Sequence, residues 1–526
     1  MSGPCKRLRQ KLERERELAL AAKAKADAEA AKAALLAQPP VPRASLWLAL
    51  AFLLPNLGAL ACGFVSDDLV EIAGNNYGSH IHSLRHLVQN VWMFCNWERR
   101  AGLLHYRPIA ESLWTFIWAL SGGGKGCEVS GCVEPATFTR TTPILFHAFG
   151  LAVGMAAVIL LYRFFLTVKI LPRTAFIAAL LFALFPIHTE ATTWIVSSTD
   201  PLSTALGLGG LIFYYRHRPL PALLLFALAV LSKESAAAFA ALPIAFPRKD
   251  WRSRDSLLFG TGSGVIIAGA LWVHHAISPI PRVAPGANPI MLVDASHGIF
   301  TALWVQCLYV FKTLLPITLS ANYSMRQILP VSGLDDWHAW AGIALVMSAA
   351  IAALRWREFR APILAYAILF SATANVLFPI ETIMGERLAY APSLGIALLL
   401  AILLARSRHW KVALVAVALV FGARTAIRNL DWLNQERYVV KLVETSPDSM
   451  DTQFLLGTLR AIKGDDAGAV EAYDRAIALY QPFSQAYCER AASLEKLGRP
   501  AEAAASYHSC AFFRNDVNVV TLRQAP

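Results

Sequence analysis

Charge is what this chain has least of. Asp, Glu, Lys and Arg make up 16% of its 526 residues, against 56% hydrophobic residues, and the mean hydropathy is +0.46. Soluble domains carry about a quarter charged residues, so a water-solvated globule is excluded and most of the chain must be solvated by lipid. A cleavable leader is also missing. The first apolar stretch begins near Ser45, behind a long charged segment from Lys6 to Lys32 that reads as a polar, alanine-rich helix. A secretory signal sets its short basic region directly against the apolar core. The eight cysteines include no CxxC pair. Only Cys127 and Cys132 sit close together, in a loop expected outside, where an oxidising compartment would allow a disulfide. The spacings of His80, His82, His86, His274 and His275 match no strong ligand motif, so neither a metal nor another cofactor is expected. The net charge of +12 is tail and loop charge rather than one basic face, which excludes nucleic acid as a partner.

What is present is a series of apolar stretches near span length. They run Ser45–Val65, Thr142–Leu166, Thr174–Phe185, Pro201–Tyr215, Pro219–Leu231, Ala236–Phe246, Leu257–Ile277, Trp337–Leu354, Pro362–Phe378, Leu388–Leu404 and Val412–Ala426, with Ile299–Leu319 ambiguous. Positive charge sets the topology. Basic clusters occur at Arg163/Lys169/Arg173, Arg216/Arg218, Arg248/Lys249/Arg252/Arg254, Arg355/Arg357/Arg360 and Arg406/Arg408/Lys411. All five fall on the side of the basic N-terminus if eleven stretches cross and Ile299–Leu319 is re-entrant or lies on the surface.

The expected fold is therefore all-α, a polytopic bundle of about eleven spans. Residues 1–44 form a basic cytoplasmic tail, 45–430 the membrane domain and 431–526 an exoplasmic module. Long exoplasmic loops are expected over 66–140 and 278–336. Within the first, Leu84–Trp97 and Leu103–Leu120 are amphipathic, suited to lying on the membrane surface.

The module repeats at 34 residues: Gly464 recurs as Gly498, Ala469 as Ala503 and Tyr473 as Tyr507. A Gly turn between two helices with Ala at their close contact is the TPR pattern. It reads either as a docking surface for substrate or partner, or as a structural cap or dimer contact.

Candidate chemistry gathers at predicted exoplasmic ends. Asp67–Asp68 directly follow the first span, and acids at a membrane interface are costly and tend to be functional. One could serve as a general base toward an acceptor hydroxyl; a helix N-cap or a solvated loop acid is the plain alternative. Tyr106–Arg107, His188 with Glu190, Lys233–Glu234 and Glu386–Arg387 lie on the same side. Their cations suit a lipid phosphate, although each could instead be paired with a neighbouring helix. A second acidic pair, Asp335–Asp336, precedes a span and reads as its N-cap.

Several of these segments resemble the transmembrane-and-TPR O-mannosyltransferase family of GT-C glycosyltransferases. They are Asp67–Asp68, Tyr106-Arg107-Pro108, the run from Phe185 to Ala191, and Leu231-Ser232-Lys233-Glu234. Leu319 to Ser324, Glu386 to Ser393, and Arg424 to Trp432 leading into the repeats complete the set. The resemblance covers nearly the whole chain beyond the tail. It implies a polyprenyl-phosphate sugar donor, typically mannose, a protein Ser/Thr hydroxyl as acceptor, and inversion in one in-line displacement. Asp67 would be the general base, with Asp68 orienting it or the acceptor. Lys233, Arg387 and Arg107 would hold the lipid phosphate, with Tyr106, His188, Glu190, Glu234 and Glu386 lining the site.

The chain departs from the family in having two full repeats where relatives often carry many, a glycine-rich insertion (Gly122–Cys132) and a long tail. Transfer to a cell-envelope glycan or lipid, and a non-enzymatic scaffold docking partners through the repeats, are the alternatives. The alanine- and arginine-rich composition favours a bacterial inner membrane and periplasm over an ER membrane and lumen.

Overall fold

The computed structural model describes residues 41–73, 106–121, 142–277 and 285–516, with the isolated positions 14 and 39. The tail helix, Leu84–Trp97, the Cys127/Cys132 pair and His80, His82 and His86 lie outside the described residues. Among the described residues every regular element is a helix, as the apolar composition requires of a chain that must satisfy its backbone in lipid.

In chain order the helices are α1 (Ala44–Asn56), α2 (Pro108–Leu120), α3 (Ile144–Thr167), α4 (Pro172–Leu184), the short α5 (Thr189–Thr193), α6 (Thr199–Tyr215) and α7 (Pro219–Ser232). There follow α8 (Arg254–Ile277), α9 (Ala295–Leu314), α10 (Trp337–Arg355), α11 (Arg357–Phe370), α12 (Ser393–Arg406) and α13 (Trp410–Asn429). Proline opens α2, α4 and α7, where its missing N–H costs nothing. Asp336 caps α10 by accepting from His338 N at 3.0 Å, the role its position before a span predicts.

Among the described residues five helical segments are long and apolar enough to cross a membrane: Ala44–Ala61, Ile144–Thr167, Arg254–Ala276, Trp337–Arg355 and Trp410–Trp432. A sixth candidate is α4 with the segment Pro186–Thr193, bent by 53°. Shorter helices fill the other expected stretches. The stretch expected at Ala236–Phe246 is not an α-helix but an 11-residue 3-10 helix, Glu234–Ile244, containing Pro243. At about 2.0 Å per residue it still reaches as far as α6. It starts beside Lys233, and its far end meets α6, where Tyr215 Oη donates to the Phe246 carbonyl.

The basic clusters converge. Arg248 donates to the Tyr214 carbonyl at 2.7 Å and to His217 at 2.9 Å, and Arg406 pairs with Glu358 at 2.5 Å. Arg173 lies 5.5 Å over the Trp410 ring, and Phe164 packs on both Tyr215 and Phe246. All five clusters therefore share one end of the bundle. Both ends of α9 are fixed at the opposite end: His297 bonds the Ser332 carbonyl just before α10 (2.9 Å), and Tyr309 Oη bonds Gly385.

The C-terminal module consists of α14 (Gln435–Thr445) and two hairpins, α15 (Met450–Ile462) with α16 (Asp466–Leu479), and α17 (Ser484–Lys496) with α18 (Pro500–Asp516). Gly464 and Gly498 turn the hairpins at φ of +80° and +70°, a conformation glycine adopts without a Cβ clash. Ala469, Ala503 and Tyr473 are buried, whereas Tyr507 is exposed. Cys488 and Cys510 form a disulfide across the second hairpin, a pairing that the 22-residue separation did not advertise. The module is seated firmly on the bundle. Arg326 N donates to the Asp448 carbonyl at 2.9 Å, Ser324 meets Ser449 at 2.8 Å, and Ser446 donates to Ser320 at 2.7 Å.

Candidate active site

The end of the bundle that carries the module also collects most of the charged residues singled out above. α1 runs through a short 3-10 turn into the loop Cys62–Asp68, and the two acids there diverge. Asp67 is exposed, with the Ser66 hydroxyl donating to its Oδ1 at 3.5 Å. Asp68 is fully buried and accepts from Val196 N at 3.0 Å and Val65 N at 3.4 Å. Burial pushes its carboxyl well above the usual range, against these amide bonds, with Asp67 adding to the push. Asp68 thus ties the loop to the segment after α5, while Asp67 faces out.

Three cations form one cluster, each engaged by an acid. Arg107, the residue before α2, gives a two-pronged bond to Glu234 (Nε 3.1 Å, Nη2 2.7 Å), and its own N–H meets Glu111 at 3.3 Å. Tyr106 precedes it, half-buried. Lys233, at the C-cap of α7, pairs with Asp200 at 2.5 Å, both buried. Arg387 donates from its side chain (2.5 Å) and backbone (3.1 Å) to the buried Glu190, and its guanidinium lies 5.0 Å over Trp194. Arg107 and Arg387 both bear electrostatically on Lys233, and Asp67 on Arg387. Like charges held this close suit an anion.

Glu386 stands apart from the opening. It accepts from Ser320 N at 2.7 Å and Tyr323 Oη at 2.6 Å, with Arg428 3.6 Å away and Arg428 in turn on Asp431 at 2.7 Å. Burial, opposed by Arg428 and aided by Glu190, pushes its carboxyl up to about 7. His188 is not brought to the site surface. The bend after α4 turns it into the core, bonded to Ser393 at 2.7 Å between the rings of Phe182 and Tyr390. Beneath Asp200 a small cavity of about 10 Å³ lies between Ser203, Thr204 and Phe239 on one side and Leu369, Leu388 and Pro392 on the other. Its lining is mixed, polar and apolar. Among the described residues no group of three or more His, Cys, Asp or Glu side chains could hold a metal.

Sequence reasoning did not single out Asp200, Arg428, Asp431 or Tyr438. Asp200 left one usable signal, a carboxylate heading an apolar stretch.

Several curated proteins are similar to the chain. A Caenorhabditis elegans protein O-mannosyl-transferase is 24% identical over 322 residues, covering 59% of this chain and 46% of its own length. Human protein O-mannosyl-transferase TMTC1 is 24% identical over 413 residues (66% and 47%), and human TMTC4 24% over 439 residues (70% and 57%). The resemblance is to the protein O-mannosyl-transferases. The chain spans about half the length of these relatives. No family model matches the chain, and no solved structure matches it. Relative to the O-mannosyl-transferase motifs quoted above, the fold places Asp67, Arg107, Glu190, Lys233 and Arg387 in one cluster, with Asp68 and Glu386 buried as its supports and His188 in the core.

Proposed function

We propose that this chain is a membrane glycosyltransferase that moves mannose from a polyprenyl-phosphate donor to a Ser or Thr hydroxyl of a protein, on the membrane face that carries the module. The observation that carries this reading is the juxtaposition of the exposed Asp67 carboxylate with the cation cluster of Arg107, Lys233 and Arg387. The names of the relatives supply the sugar and the kind of acceptor.

The chemistry needs few groups. Asp67 takes the proton of the acceptor hydroxyl, whose oxygen attacks the anomeric carbon. The bond from that carbon to the phosphate oxygen breaks in line, and the configuration inverts. The leaving group departs as a lipid phosphate anion, so fixed cations matter more than a general acid. An Arg carries five donors and a Lys three, so an acid partner that orients each side chain does not exhaust it. Glu190, Asp200 and Glu234 hold the cations. The two hairpins, as a short TPR pair, dock the acceptor beside Asp67. Basic clusters mark the cytoplasmic end of helical membrane proteins, which supports a site and module on the exoplasmic side. A disulfide between Cys488 and Cys510 suits an oxidising compartment, either periplasm or ER lumen.

Mass spectrometry of lipid co-purified with the wild-type and Asp67→Asn chains, paired with a transfer assay, tests the reading. Polyprenyl-phosphate mannose is expected in both samples, with transfer by the variant reduced by about 10²- to 10⁴-fold, the span of a general base. Full transfer by Asp67→Asn removes the proposed base, and bulk phospholipid alone in both samples removes the donor.

A further inference from the structure

The loop bearing Asp67 does not hold its shape alone. Ser66 has φ of +52°, a left-handed conformation that disfavours any residue but glycine. What holds it there comes from the start of the module. Gln435 Oε1 accepts from Ser66 N at 2.8 Å, and Gly63 N donates to the Leu433 carbonyl at 2.9 Å. Ser66 in turn donates to Asp67. The first helix of the module also reaches Arg387. The Tyr438 ring, 4% exposed, packs on Trp432 at 5.3 Å, Trp432 stacks on Trp194 at 6.0 Å, and Arg387 lies over Trp194.

We propose that Tyr438 and Gln435 are positioning residues of the active site, so that the module's first helix fixes the geometry between Asp67 and Arg387 and does not serve the acceptor alone. This rests on the transferase reading. The bond from Ser66 N to Gln435 sets where the base points, while the aromatic column from Tyr438 sets where the guanidinium sits. Displacing a reacting group by about 1 Å is enough to cost 10²-fold in rate.

The test uses the full chain in lipid with polyprenyl-phosphate mannose and a panel of Ser/Thr peptides. Gln435→Leu removes the acceptor of Ser66 N at similar volume, and Gln435→Glu keeps an acceptor there. Gln435→Leu is expected to lower kcat by about 10- to 100-fold with the donor KM and the Tm unchanged, and Gln435→Glu to retain most of the wild-type kcat. Tyr438→Ala, which breaks the stack on Trp432, is expected to lower kcat and Tm together. Wild-type kcat in Gln435→Leu overturns the proposal, and so does a loss of kcat in that variant that tracks a loss of Tm. A wild-type chain that transfers nothing to any peptide defeats the transferase reading itself, and this proposal with it.

Discussion

Glu386 is an acid kept where an acid is expensive. Its Oε1 accepts from both Ser320 N and Tyr323 Oη, while Oε2 has only Arg428, 3.6 Å away and shared with Asp431, as countercharge. With its carboxyl raised from 4.5 to about 7 by burial, the folded chain binds more protons than the unfolded chain between those two values. Stability from this group is therefore fully present below about pH 4.5 and lost as pH rises through about 7. The wild-type chain is expected to melt on the order of 5 °C lower at pH 8 than at pH 5. Glu386→Gln should flatten that part of the dependence. A thermal melt series in detergent across pH 5–8 measures both, and identical slopes would show that Glu386 titrates normally. At this scale the sequence singled out charged residues that the fold brings together, but not which of them pair. Lys233 finds Asp200 on a different helix, Arg107 finds Glu234 from 127 positions away, and Arg387 finds Glu190 from 197. Contacts between helices leave no spacing in the chain to read.

Periodicity, by contrast, belongs to elements. The 34-residue repeat predicted the paired hairpins, whose turns are Gly464 and Gly498, both at positive φ with open space around a would-be Cβ. Gly464→Ala and Gly498→Ala should each cost only the backbone penalty, about 1 kcal/mol. Gly457→Ala is a different case. Its Cβ would stand 2.5 Å from the ring of Tyr473, which is fully buried, so the overpacking cost rises to about 1–3 kcal/mol. Thermal melts of the three full-length variants, followed by near-UV signal from the module's tyrosines, should rank Gly457→Ala as the most damaging. The same legibility failed where an element took an uncommon form. Ala236–Phe246 reads as a short apolar span, but the 3-10 geometry carries its eleven residues over about 22 Å, against about 16.5 Å for an α-helix. The loop Cys62–Asp68 stood out in the sequence through its paired acids. That α14 shapes it did not, because Gln435 and Tyr438 are ordinary residues of an amphipathic helix until the fold sets Gln435 against Ser66 and Tyr438 against Trp432.

For the whole molecule, charge distribution and helix direction give one answer. The five basic clusters lie at one end, and Asp67, the cation cluster and the module lie at the other. α9, with His297 tied to Ser332 and Tyr309 to Gly385, keeps to the site end, so it is expected to add no crossing. An odd number of crossings is then expected between the basic clusters and the module. Arg408, in the basic turn between α12 and α13, and Lys463, in the turn between α15 and α16, are both exposed, so they report on the two ends. In cells or sealed vesicles of known orientation, Lys463→Cys is expected to react with a membrane-impermeant maleimide from the exoplasmic side. Arg408→Cys should react only after permeabilisation. Labelling of both from one side would mean that α9 or one of the short helices changes the parity. The charge separation visible in the fold would then not be the one the membrane reads.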